Sequence, residues 1–306
     1  MSTLQQRNNA LDVNDFTNTI NLHTSIHITS HGSDWYFTVC CIMGVATIAF
    51  LGLAFKKPRH ERIFHYITAS ITMVACIAYF SMGSNLGWTG ILVEWVRKDR
   101  DVSGVPLRQI FYVRYIDWFV TTPLLLLDLL LTCGMPTPTI AYTILINEIM
   151  VITGLVGALV KSRYKWGYYV FGCAAFFFVA YTVVFEGRAY ARALGRDVQK
   201  TFTLCGAWTI FLWFLYPISW GLCEGGNVIS PDSEAIFYGI LDVFAKPGFG
   251  ALLLWGHRNI DISRLGLNIR NPTAEVPSTE KRALNAQQNN GDREAANDGS
   301  TASENV

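Results

Sequence analysis

Seven stretches of the chain are apolar over the length that crosses a lipid bilayer, and this feature restricts the fold more than any other. A membrane-crossing helix needs about 20 mostly apolar residues. The stretches are residues 35–55, 63–84, 107–132, 137–160, 166–185, 201–222 and 233–255. Their apolar residues are continuous rather than alternating, which favours helices over a membrane β-barrel. The sequence therefore predicts an all-α membrane protein, a bundle of seven transmembrane helices.

The composition agrees with a membrane location. Hydrophobic residues make up 51% of the chain and charged residues 15%, whereas a typical soluble domain has roughly a quarter charged residues. The 24 basic and 23 acidic residues nearly cancel, which argues against a nucleic-acid partner. The seven cysteines show no paired spacing, so neither a metal site nor a disulfide framework is predicted.

The polar segments predict how the chain is organised around the membrane. Residues 1–34 form a polar extracellular segment, residues 35–260 the seven-helix domain, and residues 261–306 a cytoplasmic tail too polar to fold alone. The charged segment 94–108 leaves room for a short extracellular hairpin between the second and third helices. We expect an integral, multi-pass protein of the plasma membrane.

Basic residues are somewhat more frequent on one predicted side, and cytoplasmic loops carry the excess of Lys and Arg. That side has Lys56, Lys57, Arg59, Arg62, Arg188, Arg192, Arg196, Lys200, Arg258 and Arg264. The other has Arg97, Lys98, Arg100, Arg108, Lys161, Arg163 and Lys165. The bias places the N-terminus outside and the C-terminus in the cytoplasm.

Several charged residues fall inside the predicted spans, where each costs at least about 2.5 kcal/mol at the bilayer centre. They are Arg114, Asp117, Asp128, Glu148, Asp242 and Lys246. Pairing across helices would make them tolerable without giving them a function. Charged residues whose insertion costs this much free energy are nevertheless functional candidates.

The third predicted helix carries two carboxylates on one face. Arg114, Asp117 and Thr121 share that face, and Asp128 is rotated from Asp117 by only about 20° and displaced by about 16 Å along the axis. A structural ion pair needs neither the shared face nor the two depths. The spacing therefore indicates two proton-binding carboxylates, one near the middle of the membrane and one nearer an aqueous surface.

The seventh predicted helix places Asp242 and Lys246 four residues apart on one face. Burial disfavours the charged ammonium, and the neutral amine is the form that attacks a carbonyl to make a Schiff base. In the sixth helix, Trp213, Tyr216 and Trp220 form an aromatic stripe. Such stripes usually reflect packing alone, but beside a buried lysine this one indicates a cofactor pocket.

Motifs in four of the predicted helices make the sequence similar to the microbial rhodopsins. RYIDW at 114–118 followed by TTPLLLLD at 121–128 resembles their third helix, and WFLYPISW at 213–220 resembles their sixth. LDVFAKPGFG at 241–250 resembles their retinal-binding seventh helix, and TGLVGA at 153–158 their fourth. The resemblance covers residues 35–258, and the long connection between the second and third helices is most similar to the fungal, Leptosphaeria-type branch.

The resemblance implies all-trans-retinal bound to Lys246 as a protonated Schiff base. Asp117 would accept the Schiff-base proton with Thr121 as its hydrogen-bond partner, Asp242 would be a second counter-ion, and Asp128 would be the cytoplasmic proton donor. Arg114, Glu224 and Glu234 would form the extracellular release group, with Tyr79 near the arginine. The retinal pocket would be lined by Trp118, Leu125, Trp213, Tyr216 and Trp220.

Two positions depart from the family pattern, and one acid has no assigned role. Asn147 stands where the archaeal pump has an aspartate near the chromophore, and Pro247 directly follows the lysine. Glu148 is interpreted as a tolerated acid that faces an interface.

The resemblance implies a light-driven outward proton pump, a transporter rather than an enzyme, whose partners are retinal, protons and membrane lipid. The alternative is a slow-cycling sensory rhodopsin that signals to a cytoplasmic partner. The bundle has surface enough to form a trimer, although no residue requires one. Asp117 speaks against chloride pumping, and the intact Lys246 against a retinal-free scaffold.

Overall fold

The computed structural model describes residues 8–17, 23–97 and 104–267. Within these ranges, seven helices are long and apolar enough to cross a membrane. Numbered first to seventh, they are Ser30–Phe55, Ile63–Gly83, Tyr112–Thr132, Thr137–Leu159, Lys165–Leu194, Arg196–Gly225 and Pro231–His257. The predicted seven-helix bundle is confirmed, and the chain is an integral, multi-pass membrane protein. Most of the predicted tail, from residue 268 on, lies outside the described residues.

A two-stranded hairpin connects the second and third helices, as predicted. Strand β1 (Thr89–Leu92) pairs antiparallel with strand β2 (Leu107–Ile110). The prediction that the third helix starts at residue 107 was wrong, since 107–110 form β2 and the helix starts at Tyr112. The strand is apolar and buried, so hydropathy alone does not separate it from the helix that follows.

The N-terminal segment runs alongside this hairpin. Ile26 donates its backbone N–H to the carbonyl of Leu107 at 2.9 Å and accepts from the N–H of Gln109 at 2.8 Å. The Gln109 side chain accepts a hydrogen bond from the backbone of Ile28 at 3.0 Å. The hairpin is therefore tied to the chain just before the first helix.

The first, fifth and sixth helices extend beyond the apolar stretches that predicted them. The first begins at Ser30, and the fifth and sixth are separated only by Gly195, whose φ of 121° suits glycine. The predicted end of the fifth helix at residue 185 and the predicted start of the sixth at residue 201 were wrong. Hydropathy falls where the basic residues begin, but the helices continue through them.

Three π-helical turns interrupt the fifth, sixth and seventh helices, at Thr182–Gly187, Gly221–Gly225 and Phe244–Gly248. The third of them contains Lys246 and Pro247. Proline has no N–H to donate to the helix ladder, and such wide turns occur frequently at functional sites.

The seventh helix packs closely on the first at Gly239, where a Cβ would overlap the Trp35 indole. The Trp35 Nε1 donates to the carbonyl of Ala235 at 3.0 Å. We expect Gly239→Val to destabilise the bundle by about 1–3 kcal/mol through overpacking, lowering the melting temperature followed by circular dichroism. Gly52→Val, where an added Cβ meets open space, is the control. Equal melting temperatures for the two variants would contradict the prediction.

Candidate functional site

Lys246 lies at the centre of the bundle, 2% exposed, on the π-helical turn of the seventh helix. Its Nζ contacts Oδ2 of Asp117 from the third helix. The same nitrogen lies 3.1 Å from Oδ2 of Asp242, one helical turn earlier on its own helix. The structure therefore brings the predicted lysine and both predicted counter-ions together, although they come from distant parts of the chain.

The two aspartates differ in how many hydrogen bonds they accept. Oδ1 of Asp242 accepts from the Tyr216 hydroxyl at 2.5 Å, and its Oδ2 accepts from the Tyr79 hydroxyl at 2.8 Å. Asp117 has only Lys246 on Oδ2, and its Oδ1 has no hydrogen-bond partner among the described residues. Asp117 therefore has a lone pair ready for a proton, whereas Asp242 is held in place by three donors.

Two predicted neighbours of these groups make different contacts from those expected. The Thr121 hydroxyl donates to the backbone carbonyl of Asp117 at 2.8 Å, rather than to its carboxylate. Tyr79 donates to Asp242, whereas the Arg114 guanidinium donates to another tyrosine, Tyr36, at 2.8 Å.

A cavity with mainly apolar walls adjoins Lys246, as is typical of small-molecule sites. It is lined by Trp118, Leu125, Trp213, Tyr216 and Trp220, all predicted for a cofactor pocket. Trp118 and Tyr216 meet edge to face with ring centroids 5.3 Å apart. Such a cavity suits an apolar, planar ligand that carries one group able to react with Nζ.

The fourth helix adds a polar contact to this cavity. Nδ2 of Asn147 donates at 2.7 Å to the Thr122 hydroxyl, and Thr122 lines the cavity. Glu148 lies beside it, accepting at 3.4 Å from the same nitrogen. No contact within residues 8–17, 23–97 and 104–267 gives Glu148 a chemical role.

A second group of buried charges contains Arg114 and both predicted glutamates. Nη1 of Arg114 lies 2.6 Å from Oε1 of Glu234 and 3.5 Å from Oε1 of Glu224. The Tyr115 and Tyr238 hydroxyls donate to Glu224 at 3.0 and 3.1 Å. The predicted release group is therefore assembled in space, and the sequence reasoning missed its tyrosines because buried tyrosines are common.

Arg108 also belongs to this group, which corrects its assignment to the surface basic residues. It is 1% exposed on β2, and its Nη2 lies 2.5 Å from Oε2 of Glu234. Burial tends to lower the pKa of the guanidinium, but the Glu234 carboxylate outweighs this effect and the pKa of Arg108 is raised. The sequence signal for Arg108 was a single charge in a short, otherwise uncharged segment before the third helix.

Cys223, Glu224 and Glu234 bring potential ligand atoms within 4.8 Å of one another. Both carboxylates already face guanidinium groups. A metal cation would be repelled by these two positive charges, so the donor set fits an arginine-bridged cluster better than a metal site.

Asp128 lies apart from both groups and is 0% exposed. Its Oδ2 accepts from the Thr68 hydroxyl at 3.0 Å, while Oδ1 has no partner in the described part of the chain. The surrounding core is apolar, with Leu125, Leu126, Leu129, Val179, Phe202, Phe249 and Leu253 among its members. An isolated charge is costly in such surroundings, so the neutral, proton-carrying carboxyl is favoured.

The fold and site together define a class of protein: a seven-helix membrane protein whose central lysine adjoins an aromatic cavity and contacts two carboxylates. The chain belongs to the bacteriorhodopsin-like protein family, which matches residues 31–260. The resemblance found in the sequence is thereby confirmed, and members of this family bind retinal.

Individual relatives agree with this family membership. The "Opsin-like protein carO" of Fusarium fujikuroi is 62% identical over 266 residues, which cover 87% of this chain and 86% of that protein. The solved light-driven proton pump of Leptosphaeria maculans is 40% identical with a TM-score of 0.72, covering 78% of this chain and 100% of that one. The solved light-driven proton pump of Coccomyxa subellipsoidea is 38% identical with a TM-score of 0.71, and the match covers 76% of this chain and 99% of that one. The predicted fungal, Leptosphaeria-type likeness is confirmed, and these solved relatives are transporters rather than enzymes.

Proposed function

We propose that this protein is a light-driven outward proton pump that uses all-trans-retinal bound to Lys246 as a protonated Schiff base. One observation carries the proposal: Lys246 Nζ contacts the partly unsatisfied carboxylate of Asp117, and a second, isolated carboxyl, Asp128, lies on the same helix. A proton can therefore leave Nζ in one direction and be replaced from the other. The solved relatives from Leptosphaeria and Coccomyxa are themselves named as proton pumps.

The cavity fits the proposed cofactor. Its walls are aromatic and aliphatic, and Lys246 lines it together with Asp242. Retinal bound there would supply a light-driven isomerisation that changes the direction in which the Nζ–H points. The residues around it hold Nζ, exclude water and provide the groups that take and return its proton.

Asp117 is proposed as the acceptor because its Oδ1 is free to take a proton, while Asp242 would have to give up an existing hydrogen bond. Asp242 then serves as the permanent counter-ion beside Nζ. Thr121 holds the backbone of Asp117 at this turn of the helix through its own hydroxyl.

Asp128 is proposed as the donor that returns a proton to Nζ, because its apolar surroundings favour a neutral carboxyl. Arg114, Glu224 and Glu234 are proposed to release a proton on the opposite side. The direction is outward with the N-terminus outside, residues 261–306 in the cytoplasm and the plasma membrane as the site of action. A trimer is compatible with this function and not required by it.

A slow-cycling photosensor is the second candidate function. It would use the same pigment and would have no need for a fast proton donor. The isolated, buried Asp128 favours the pump.

The test is the light-induced pH change of an unbuffered suspension of retinal-fed cells that express the protein, with and without a protonophore. We expect prompt acidification that the protonophore abolishes. A coloured membrane that leaves the pH unchanged would replace the pump with the sensor.

Lys246→Ala is expected to give a folded, colourless protein, because no other residue lining the cavity carries an amine. The measurement is the visible absorption of the purified protein after addition of retinal, with helical content checked by circular dichroism. Lys165→Ala is the matched control, since Lys165 is also buried but does not line the cavity. A visible band that persists in Lys246→Ala would disprove the covalent assignment.

A further inference from the structure

Seven charged side chains are buried at and near Lys246, and their positive and negative charges can be counted. The cations are Lys246, Arg108 and Arg114, and the carboxyls are Asp117, Asp242, Glu224 and Glu234. Each of the seven is at most 5% exposed. Among the described residues, their ion pairs form two groups, Lys246 with the two aspartates and the two arginines with the two glutamates. The groups are neighbours, because Arg114 and Asp117 lie three residues apart on one face of the third helix.

Three cations and four carboxylates would leave one uncompensated negative charge in a buried region, which is strongly unfavourable. The set becomes neutral when one carboxyl carries a proton. This count holds whether Lys246 is a protonated amine or a protonated Schiff base, because both carry one positive charge.

Asp117 and Asp242 both contact the Lys246 cation, which favours their ionised forms, so the proton falls on a glutamate. The contacts indicate which of the two glutamates carries it. Oε1 of Glu234 lies 2.6 Å from Arg114, and its Oε2 lies 2.5 Å from Arg108, so both oxygens accept charge-assisted bonds. Glu224 has one guanidinium contact, at 3.5 Å, and otherwise tyrosine hydroxyls. Charge is therefore compensated much better on Glu234 than on Glu224.

We propose that Arg108 is a positioning residue that holds Glu234 as a permanent anion, so that Glu224 alone carries the releasable proton of this cluster. Arg108 reaches Glu234 because β2 carries it inward, where its Nη1 also donates to Asn227 Oδ1 at 2.6 Å and to the Ile229 carbonyl at 2.8 Å. The hairpin thereby sets which acid of the release group can exchange its proton. The proposal deepens the proposed function and rests on it only for the light-driven step.

The charged and titratable neighbours of the two glutamates come from several elements. Tyr36 of the first helix accepts a hydrogen bond from Arg114 and donates none to the glutamates. Arg114 and Tyr115 come from the third helix, and Tyr238 comes from the seventh. Cys223 precedes Glu224 on the sixth helix and lies within 4.8 Å of both acids. Among these neighbours only the two arginines are cations, which is why removing one of them changes the count.

The first test measures the dark protein and requires no pumping. Infrared spectra of protein labelled with ¹³C-glutamate report the C=O stretch of protonated glutamic acid. Aspartate keeps the number of carboxyls but does not carry the label, so we expect a labelled band that is lost in Glu224→Asp and retained in Glu234→Asp. Loss in Glu234→Asp instead, or loss in neither variant, would overturn the proposal.

The second test changes Arg108. Without this cation the set has two cations and four carboxyls, so neutrality requires a second proton. In Arg108→Gln we expect the intensity of protonated glutamic acid to rise by up to the area lost in Glu224→Asp. Arg108→Lys keeps the charge and should restore the original intensity, whereas a residue that acts only through packing would not be rescued in this way.

Arg97→Gln is the matched control. Arg97 precedes the same hairpin's second strand and donates to the Gly226 and Asn227 carbonyls at 2.7 and 3.4 Å. Within the described part of the chain it forms no ion pair with either glutamate. We expect its infrared band to match the wild type. A change as large as in Arg108→Gln would show that the hairpin's packing, and not the Arg108 charge, sets the protonation state.

A light-driven measurement separates this proposal from the proposed function. With a pH-sensitive dye added to the detergent-solubilised protein, where both faces are accessible, we expect the flash-induced proton release of the wild type to precede proton uptake, and release in Arg108→Gln to follow uptake. Pumping with late release in the wild type would overturn the proposal and leave the pump standing. Failure of the wild type to move protons would overturn the pump, while the dark infrared result would still decide the role of Arg108.

Discussion

Asp117→Asn is expected to leave a coloured protein that moves no protons and absorbs at longer wavelength. Asparagine cannot accept a proton from Lys246 Nζ, and the remaining anion there, Asp242, is already held by Tyr216 and Tyr79. Loss of one negative charge beside Nζ also lets the positive charge spread along the chromophore, which lowers the excitation energy. The measurements are the visible spectrum and the light-induced pH change of expressing cells.

Asp197→Asn is a matched control for this substitution. Asp197 lies at the start of the sixth helix, where Arg264 donates to its Oδ2 at 2.7 Å, far from the cavity lining. We expect the control to pump with unchanged colour. Sustained pumping by Asp117→Asn would show that another group accepts the proton.

Asp128→Asn is expected to keep its colour but to recover from each flash more slowly, by about 100-fold at the lower end of what general acid catalysis contributes. The carboxyl does not line the cavity, so the absorption maximum should not move. Proton return would then depend on protons reaching Nζ from water, and recovery should slow further as the pH rises. Flash photolysis over a range of pH measures both effects.

Glu148→Gln provides the comparison, because Glu148 is another acid within a membrane-spanning helix but only half-buried and without contact to Lys246. Its recovery rate should equal that of the wild type. If Asp128→Asn also recovers at the wild-type rate at high pH, Asp128 is not the donor.

The number of helices and the central residues could be predicted from the sequence. Apolar length defines a membrane span almost independently of its neighbours, and the i, i+4 spacing of Asp242 and Lys246 follows from helix geometry alone. The contact of Lys246 with Asp117 was expected from the family resemblance, since helical periodicity describes one helix and not the packing of two.

The helix ends and the partners of the release group could not be predicted in the same way. Hydropathy marks the apolar layer, so it missed the polar ends of the fifth and sixth helices and included strand β2 in the third. Arg108 was misassigned because a charged residue in a connection is usually solvated. Only the three-dimensional course of the hairpin shows that its guanidinium reaches Glu234.

The two sides of Lys246 differ in polarity, and this difference has an electrical consequence. One side contains arginines, glutamates and tyrosine hydroxyls, and the other contains Asp128 within a layer of leucine, valine and phenylalanine. A voltage across a membrane falls mainly over its least polarisable layer, which here lies between Asp128 and Lys246. Because moving one elementary charge through 100 mV involves about 2.3 kcal/mol, a negative cell interior would oppose the outward proton step from Asp128 more than the steps beyond Lys246. If the protein pumps protons as proposed, the membrane voltage would then limit transport chiefly through the apolar half of the protein's interior.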